Sequence, residues 1–144
     1  MADIAPITSA LDALKLKYTH EKLEDGFESF TIRMDDSEEL EVTGILYDSE
    51  EGAAFRLLGY VDELSADQES VQLKTLLALN GDLPTGAFCL DPEEGVIYVT
   101  VNLPLDAIKP EMLEWALEFL LVAQEIYFQE FYGDAPDGEE LAQG

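Results

Sequence analysis

The sequence predicts an α+β domain, in which helices pack on a twisted antiparallel sheet of about five strands. Segments with apolar residues at every third or fourth position are typical of amphipathic helices, and segments that alternate apolar with polar residues are typical of half-buried strands. Both kinds of segment occur here in the order α-β-β-β-α-β-β-α, with short polar turns between neighbouring strands. Helices that interrupt antiparallel hairpins define the α+β class.

The first predicted helix covers residues 4–18. Pro6 suits its first turn, and Thr8 or Ser9 is a candidate N-cap. Its apolar residues follow one another at steps of four, three and four, which makes one helical stripe of Ile7, Leu11, Leu14 and Tyr18.

Three predicted strands follow the first helix, at residues 27–34, 40–47 and 54–61. The pattern Asp-x-Glu-Glu-Gly occurs twice, at 48–52 and 91–95. An EF-hand would need alternating oxygen ligands, a central glycine and a distal glutamate, and neither segment has that spacing. We therefore interpret both segments as hairpin turns closed by a glycine and not as metal loops.

The second half of the chain predicts a helix, a β-hairpin and a long final helix. The second helix opens at Ser65, which forms a capping box with Gln68, and ends at Asn80-Gly81. The hairpin strands are residues 86–90 and 96–103, with Pro104 ending the pairing. The final helix starts near Pro110 and runs to about Tyr132, where Gly133 stops it.

Length and composition indicate one domain, residues 1–132, followed by an acidic mobile tail, residues 133–144. A chain of this size buries about 68–70% of its unfolded surface, so it needs neither a disulfide nor a metal to fold. The single cysteine, Cys89, excludes an internal disulfide and suits a reducing cytoplasm. The N-terminus lacks a secretory signal, and no apolar segment is long enough to span a bilayer. We therefore expect a cytoplasmic protein without membrane contact.

The net charge of −25 limits the choice of partners. Seven lysines and arginines face 32 aspartates and glutamates, so phosphate backbones and anionic lipids would be repelled. Basic protein partners would be attracted, with a strong dependence on salt. The alternative is that the charge only keeps the surface soluble.

The sequence offers no convincing catalytic, metal or cofactor site. One histidine, His20, and Cys89 could in principle make a nucleophile, but a cysteine within a strand is more often a small buried hydrophobe. One cysteine and one histidine are too few soft ligands for zinc. Phosphate-binding and nucleophile-elbow motifs are absent from the sequence. A hydrolase using scattered carboxylates stays as the enzymatic alternative.

The final helix carries more apolar residues than one contact needs. One stripe suits the sheet. It consists of Leu113, Ala116, Leu117, Leu120, Tyr127 and Phe131. A second stripe, with Glu111, Glu114 and Glu118 beside it, consists of Met112, Trp115, Phe119, Val122 and Ile126. Either this stripe packs on the first helix inside the domain, or it binds a partner protein.

The far face of the sheet is a weaker candidate for partner binding. It is richer in aromatic residues than a merely solvated face would be, and tyrosine suits half-wet contact surfaces. Its tyrosines are Tyr47, Tyr60 and Tyr98.

Residues 76–131 resemble the C-terminal part of type III secretion chaperone-like proteins, in particular the YbjN and Tir chaperone-like families. The residues that carry the resemblance are "LLALNGDLPTGAFCLDPEEGVIYVTVNLPLDAIKPEMLEWALEFLLVAQEIYFQEF". The cues are a Leu-Asn pair that ends a helix, a Gly-x-Phe strand, a turn with aspartate, "LPLD" after a strand, and a long last helix. The order of elements fits over the whole chain.

The resemblance implies a helix-covered antiparallel sheet, commonly as a homodimer, and no enzymatic activity. Secretion chaperones hold a non-globular segment of a partner on apolar patches, whereas YbjN-like proteins are often described as regulatory. In such dimers the second helix often lies at the two-fold axis. We expect Leu73 and Leu77 in the core, which leaves Val71, Leu76 and Leu79 for the dimer interface.

We therefore predict a non-enzymatic protein-binding domain that holds an unfolded or extended segment of a partner protein. The alternative is a YbjN-like regulatory protein that binds a folded partner.

Overall fold

The computed structural model describes residues 3–24, 26–34 and 41–133, and the predicted tail from residue 134 onward lies outside this part. Three α-helices are α1 (Ala5–Ala13), α2 (Glu69–Asn80) and α3 (Pro110–Tyr132). The described strands are β1 (Lys17–Lys22), β2 (Glu28–Arg33), β3 (Glu41–Ser49), β4 (Gly52–Glu63), β5 (Ala87–Asp91) and β6 (Val96–Pro104). A 3-10 turn at Leu105–Ala107 joins β6 to α3.

The strands form one antiparallel sheet in the order β1-β2-β3-β4-β6-β5. The predicted α+β class is confirmed, and the described sheet has six strands where about five were expected. The predicted hairpin turns are confirmed too. Ser49 pairs with Gly52 and Asp91 with Val96.

The additional strand arises because the first helix is shorter than predicted. It ends at Ala13, and Lys15 adopts a left-handed φ of 59°, which turns the chain into β1. Tyr18, expected on the helix, pairs with Ile32 in the sheet and packs its ring 6.1 Å from that of Phe30. Neither predicted cap is used, because the first-turn N–H of Ala5 bonds to Asp3 Oδ1 at 3.0 Å.

The core lies between one face of the sheet and the three helices. It takes alternate residues of every central strand, such as Phe55 and Leu57 on β4, together with Ile7 and Leu11 of α1. Gly44 on β3 faces Phe55, and a Cβ on Gly44 would lie 2.3 Å from that ring. A glycine is therefore required there to make room for the aromatic side chain.

Helix α2 faces the core with a different set of residues from the one predicted. Leu76 and Leu79 are buried, whereas Leu73 and Leu77 are exposed, so the expected division of the leucines was wrong. The fully buried Gln72 sets this orientation. The predicted capping box is wrong as well, because the helix begins at Glu69 and Gln68 makes no side-chain cap.

Candidate partner-binding surface

The two stripes of α3 have different environments. The first packs on the sheet, where Leu113, Ala116, Leu117, Leu120 and Tyr127 are buried. In the second stripe Phe119 is buried and Ile126 is half-buried, whereas Met112, Trp115 and Val122 are 41%, 46% and 51% exposed. The alternative that α1 covers this stripe is therefore wrong, because a covering helix would bury all five side chains.

The exposed stripe continues into a groove between α2 and α3 with a volume of about 630 Å³. Phe119, Val122 and Ile126 line the wall that α3 provides. The remaining lining residues, from α2 and the loop after it and from the end of α3, are Lys74, Thr75, Ala78, Leu79, Asp82, Leu83, Pro84, Gln129 and Glu130. Thr75 and Ala78 are short, which leaves space between the helices. The ring of Trp115 stacks on Phe119 at 6.0 Å and extends the apolar surface beyond the groove.

A polar network holds α2 and α3 at this separation. Gln72 on α2 donates from Nε2 to the Tyr127 hydroxyl on α3 and to the Glu63 carbonyl, each at 3.0 Å. The Gln72 side-chain oxygen accepts the Ser65 N–H at 2.7 Å. Because the amide of Gln72 is satisfied on both sides, this buried polar residue does not carry the usual penalty of burial.

The same network reaches the sheet through Asp62. A β-bulge between Tyr60 and Asp62 shifts the register against β6 and turns the carboxylate toward the helices. Asp62 Oδ2 then accepts hydrogen bonds from the hydroxyls of Tyr127 at 2.8 Å and Tyr132 at 2.6 Å.

Burial and the Asp62 carboxylate change the acidity of both tyrosines. Burial raises the pKa of Tyr127 well above its usual range, with Asp62 adding to the rise and the Gln72 hydrogen bond opposing it. Burial, followed by Asp62, raises the pKa of Tyr132 to about 12. Both hydroxyls therefore stay protonated at neutral pH and act as donors.

Acidic residues surround the groove. Asp82 and Glu130 line it, together with one cation, Lys74. Glu118 and Glu125 are exposed on α3, four residues before and three residues after Val122, which places them next to Val122 on the helix surface. The surface is therefore an apolar strip with a mainly anionic border.

The far face of the sheet presents the three predicted tyrosines without a covering helix. Tyr60 is exposed and lies opposite Tyr98 in the register, and Tyr47 is half-buried beneath Arg56, whose guanidinium is 5.2 Å from the ring centroid. Arg56 also donates to Asn102 Oδ1 at 2.9 Å. Tyr47, Arg56 and Tyr98 border a shallow depression of about 410 Å³, which is less apolar than the groove between α2 and α3.

His20 and Cys89, which could in principle have formed a nucleophilic pair, are separated by the whole sheet. His20 is on β1 and Cys89 on β5, at opposite edges, so about 24 Å of sheet lies between them at 4.8 Å per strand. His20 instead stacks on Phe30 at 4.6 Å and bonds to Glu28 at 2.5 Å. No group of three or more potential metal ligands occurs in residues 3–24, 26–34 and 41–133.

Asn80, at the end of α2, closes part of the edge formed by β5. Its side-chain oxygen accepts the Phe88 N–H at 2.7 Å, and its side-chain nitrogen donates to the Phe88 carbonyl at 3.1 Å. The amide thus makes the two hydrogen bonds that a further strand would make. This contact explains the Leu-Asn pair at the end of the helix. From the sequence, Asn80 was assigned only to the end of the helix.

Gln72 and Asp62 were missed as determinants of the surface. Glutamine within a helix is usually exposed, and nothing local distinguishes Gln72 from its neighbours. Asp62 carried no signal either, because it falls at an outward-facing position of the alternating strand, and only the β-bulge turns it toward the helices.

The fold is thus a helix-covered antiparallel sheet with an exposed apolar surface on α3. Residues 3–132 match the model of the YbjN family, described as "Putative bacterial sensory transduction regulator", and the chain belongs to that family. The predicted family resemblance is confirmed. Comparison with curated proteins finds no match.

Two solved structures have the same fold. A chain in the HopA1-SchA chaperone-effector complex matches with a TM-score of 0.56 and 13% identity, covering 88% of this chain and 98% of its own. A chain in the ExsC-ExsE complex matches with a TM-score of 0.54 and 13% identity, covering 94% of this chain and 99% of its own.

Within the described residues, no helix is long and apolar enough to cross a membrane.

Proposed function

We propose that this protein binds a segment of a partner protein that is unfolded or extended when free, in the manner of a secretion chaperone and without a catalytic step. The observation that carries the proposal is the exposed strip of Met112, Trp115 and Val122, continuous with the groove between α2 and α3. Large exposed apolar side chains inside a polar border are where binding energy usually concentrates. The shared fold with a chain of a chaperone-effector complex supports the same proposal.

A second, extended stretch of the bound chain gains main-chain hydrogen bonds at a strand edge. Asn80 occupies the middle of the β5 edge at Phe88, so we assign this pairing to β1. No described strand lies beyond β1. An added strand is a recurrent way for a domain to bind an extended peptide, because backbone bonds give affinity and side-chain pockets give specificity.

The partner segment is basic. The chain carries a net charge of −25, and Glu111, Glu114 and Glu118 are exposed beside the apolar strip. Replacing all three glutamates with glutamine slows association and flattens its dependence on salt, with little effect on the free energy of unfolding. Stopped-flow measurements at two salt concentrations test this expectation. An unchanged salt dependence would remove these acids from the binding surface.

Capture of partners from the native cell tests the proposed function. Trp115→Ala weakens binding of the partner by about 2 kcal/mol or more, so less partner is recovered. The variant stays folded because Trp115 is half-exposed. Tyr60→Ala is the matched control on the far face of the sheet. A partner that is lost with Tyr60→Ala and retained with Trp115→Ala would move the site to the face that carries Tyr47, Tyr60 and Tyr98.

We also propose a homodimer that forms through the outer side of α2. Leu73 and Leu77, four residues apart and therefore neighbours on one side of α2, are exposed, and Val71 is exposed on another side of the helix, whereas the predicted Leu76 and Leu79 are buried inside the protomer. Residues 70–90 contain one acid and one base, so two copies of this highly acidic chain can meet here without charge repulsion. Light scattering gives the mass directly, and a 16.0 kDa species at micromolar concentration would contradict the dimer.

The second candidate is a regulatory protein that binds a folded partner, and the description of the YbjN family favours it. The two candidates differ in the state of the partner. Binding that survives when the captured partner is reduced to an unstructured fragment supports the chaperone-like function. Binding that requires the intact folded domain of the partner supports the regulatory function.

A further inference from the structure

The two helices that form the groove offer no main-chain partners to a bound chain, because the backbone N–H and C=O groups in a helix interior bond to each other. The loop after α2, which also lines the groove, offers no free donor: the N–H groups of Asp82 and Leu83 bond to the Leu79 carbonyl, and Pro84 has no N–H. An extended segment lying in this groove would bury its own backbone groups against side chains such as Phe119, Val122 and Ile126. Each buried group left without a hydrogen-bond partner costs about 1–3 kcal/mol.

A helical segment avoids this cost because its backbone groups bond within the segment. We propose that the groove between α2 and α3 binds an amphipathic helix of the partner, with an apolar side toward the groove and a basic outer side. This inference rests on the proposed function and names the conformation that the partner segment takes at this surface. A segment that is unfolded when free folds into a helix as it binds.

The length of the surface sets the length of the helix. From Met112 to Ile126 the strip spans fifteen residues of α3, and the fourteen steps between them at 1.5 Å each amount to about 21 Å. A partner helix of about four turns covers that distance. Its apolar residues recur at i, i+3, i+4 and i+7, because that spacing keeps one side of a helix against the groove.

The charges select a basic helix and disfavour a second copy of this chain. Asp82 and Glu130 line the groove, and Glu118 and Glu125 lie beside Val122, against the single cation Lys74. In a two-fold contact centred on this groove, the acids on α3 would face their own copies. A helix with lysines or arginines on its outer side instead meets the acids with opposite charge.

Two synthetic peptides of identical composition test the proposal. Both contain only leucine and lysine and have about 18 residues, or about five helical turns. In one the leucines follow the helical spacing, and in the other leucine and lysine alternate as in a strand. Trp115 is the only tryptophan and stacks on a groove residue, so its fluorescence reports binding. Circular dichroism reports the conformation of the bound peptide.

We expect the helix-patterned peptide to bind at least about tenfold more tightly than the alternating one and to gain helix on binding. Val122→Lys weakens its binding by about tenfold or more, because it places a like charge in the apolar strip. Ser9→Lys is the matched control, since it adds the same charge at an exposed position on α1. This control changes affinity less than about twofold.

Other outcomes overturn the inference in distinguishable ways. If the alternating peptide binds as tightly and is sensitive to Val122→Lys, the groove takes an extended segment, and the proposed function stands without the helix. If both peptides bind with no sensitivity to Val122→Lys, they bind elsewhere, and both the helix and the groove are wrong. Failure of the helix-patterned peptide to bind at about 100 μM, or a mass halved by Val122→Lys, also overturns the inference.

Discussion

Replacing Tyr127 with phenylalanine removes a single hydroxyl from the network that separates α2 from α3. The aromatic ring stays, and it continues to pack against Phe88 and Phe131 in the core. The hydroxyl is lost both as an acceptor for Gln72 and as a donor to Asp62. The substitution therefore tests the hydrogen bonds separately from the packing.

The expected cost follows from what each partner retains. Gln72 keeps its bond to the Glu63 carbonyl but leaves one fully buried N–H unsatisfied, at about 1–3 kcal/mol. Asp62 loses one donor and keeps the Tyr132 hydroxyl. The two effects overlap, so we expect Tyr127→Phe to lower the free energy of unfolding by about 3 kcal/mol. The corresponding fall in Tm is about 10 °C.

Urea unfolding, followed by the fluorescence of Trp115, measures this difference. Tyr132→Phe is the control, because it also removes a hydroxyl from Asp62 but leaves no buried donor without a partner. We expect it to cost about 1 kcal/mol or less. Equal losses for the two variants would refute the reasoning, because they would mean that Gln72 finds another acceptor when Tyr127 loses its hydroxyl.

Three further predictions concern stability. Gly44→Ala lowers the free energy of unfolding by about 1–3 kcal/mol, because its Cβ would overlap the ring of Phe55 on β4. Gly59→Ala changes the free energy of unfolding little, because its Cβ would meet its nearest neighbour at 3.6 Å. Chemical denaturation of both variants checks the contrast. Asn80→Ala leaves the N–H and C=O of Phe88 without their partners and costs about 1–3 kcal/mol; an unchanged stability in thermal unfolding would contradict the closed edge. The third concerns alkaline pH: the pKa of Tyr132 is raised from 10.0 to about 12 in the folded state. Its contribution to stability is therefore complete below pH 10 and is lost as pH rises toward 12, so Tyr132→Phe makes unfolding curves less dependent on pH in that window.

The final helix was predictable from the sequence because its limits and its pattern agree. Pro110 suits a first turn, Gly133 suits a helix end, and the 23 residues of the helix repeat with helical spacing. The strands β2 to β6 were predictable for the same reason, since each alternates apolar with polar residues and is bounded by polar turns. Counting also predicted that the second stripe of α3 needs a contact other than the sheet, because one helix cannot bury two stripes against one sheet. Of that stripe, Met112, Trp115 and Val122 are exposed.

Strand β1 and the orientation of α2 could not be predicted in the same way. Tyr18 fits the end of a helical stripe as well as an alternating strand, and the left-handed turn at Lys15 that decides between them has no glycine to mark it. On α2, leucines occur on several sides, so their spacing does not say which side is buried. Gln72 decides that orientation through partners 7, 9 and 55 residues away, and such contacts appear only in the folded chain.

The partial closure of the β5 edge by Asn80 gives the sheet two unequal ends, and this asymmetry bears on polymerisation. A sheet with two open edges can stack head to tail, with the first strand of one molecule against the last strand of the next, and such a contact repeats without limit as a fibre. Here the side chain of Asn80 already holds the N–H and C=O of Phe88 at one end. A strand of another molecule would have to displace Asn80 from Phe88 to pair there, so this contact opposes growth by that route when a partner strand joins β1.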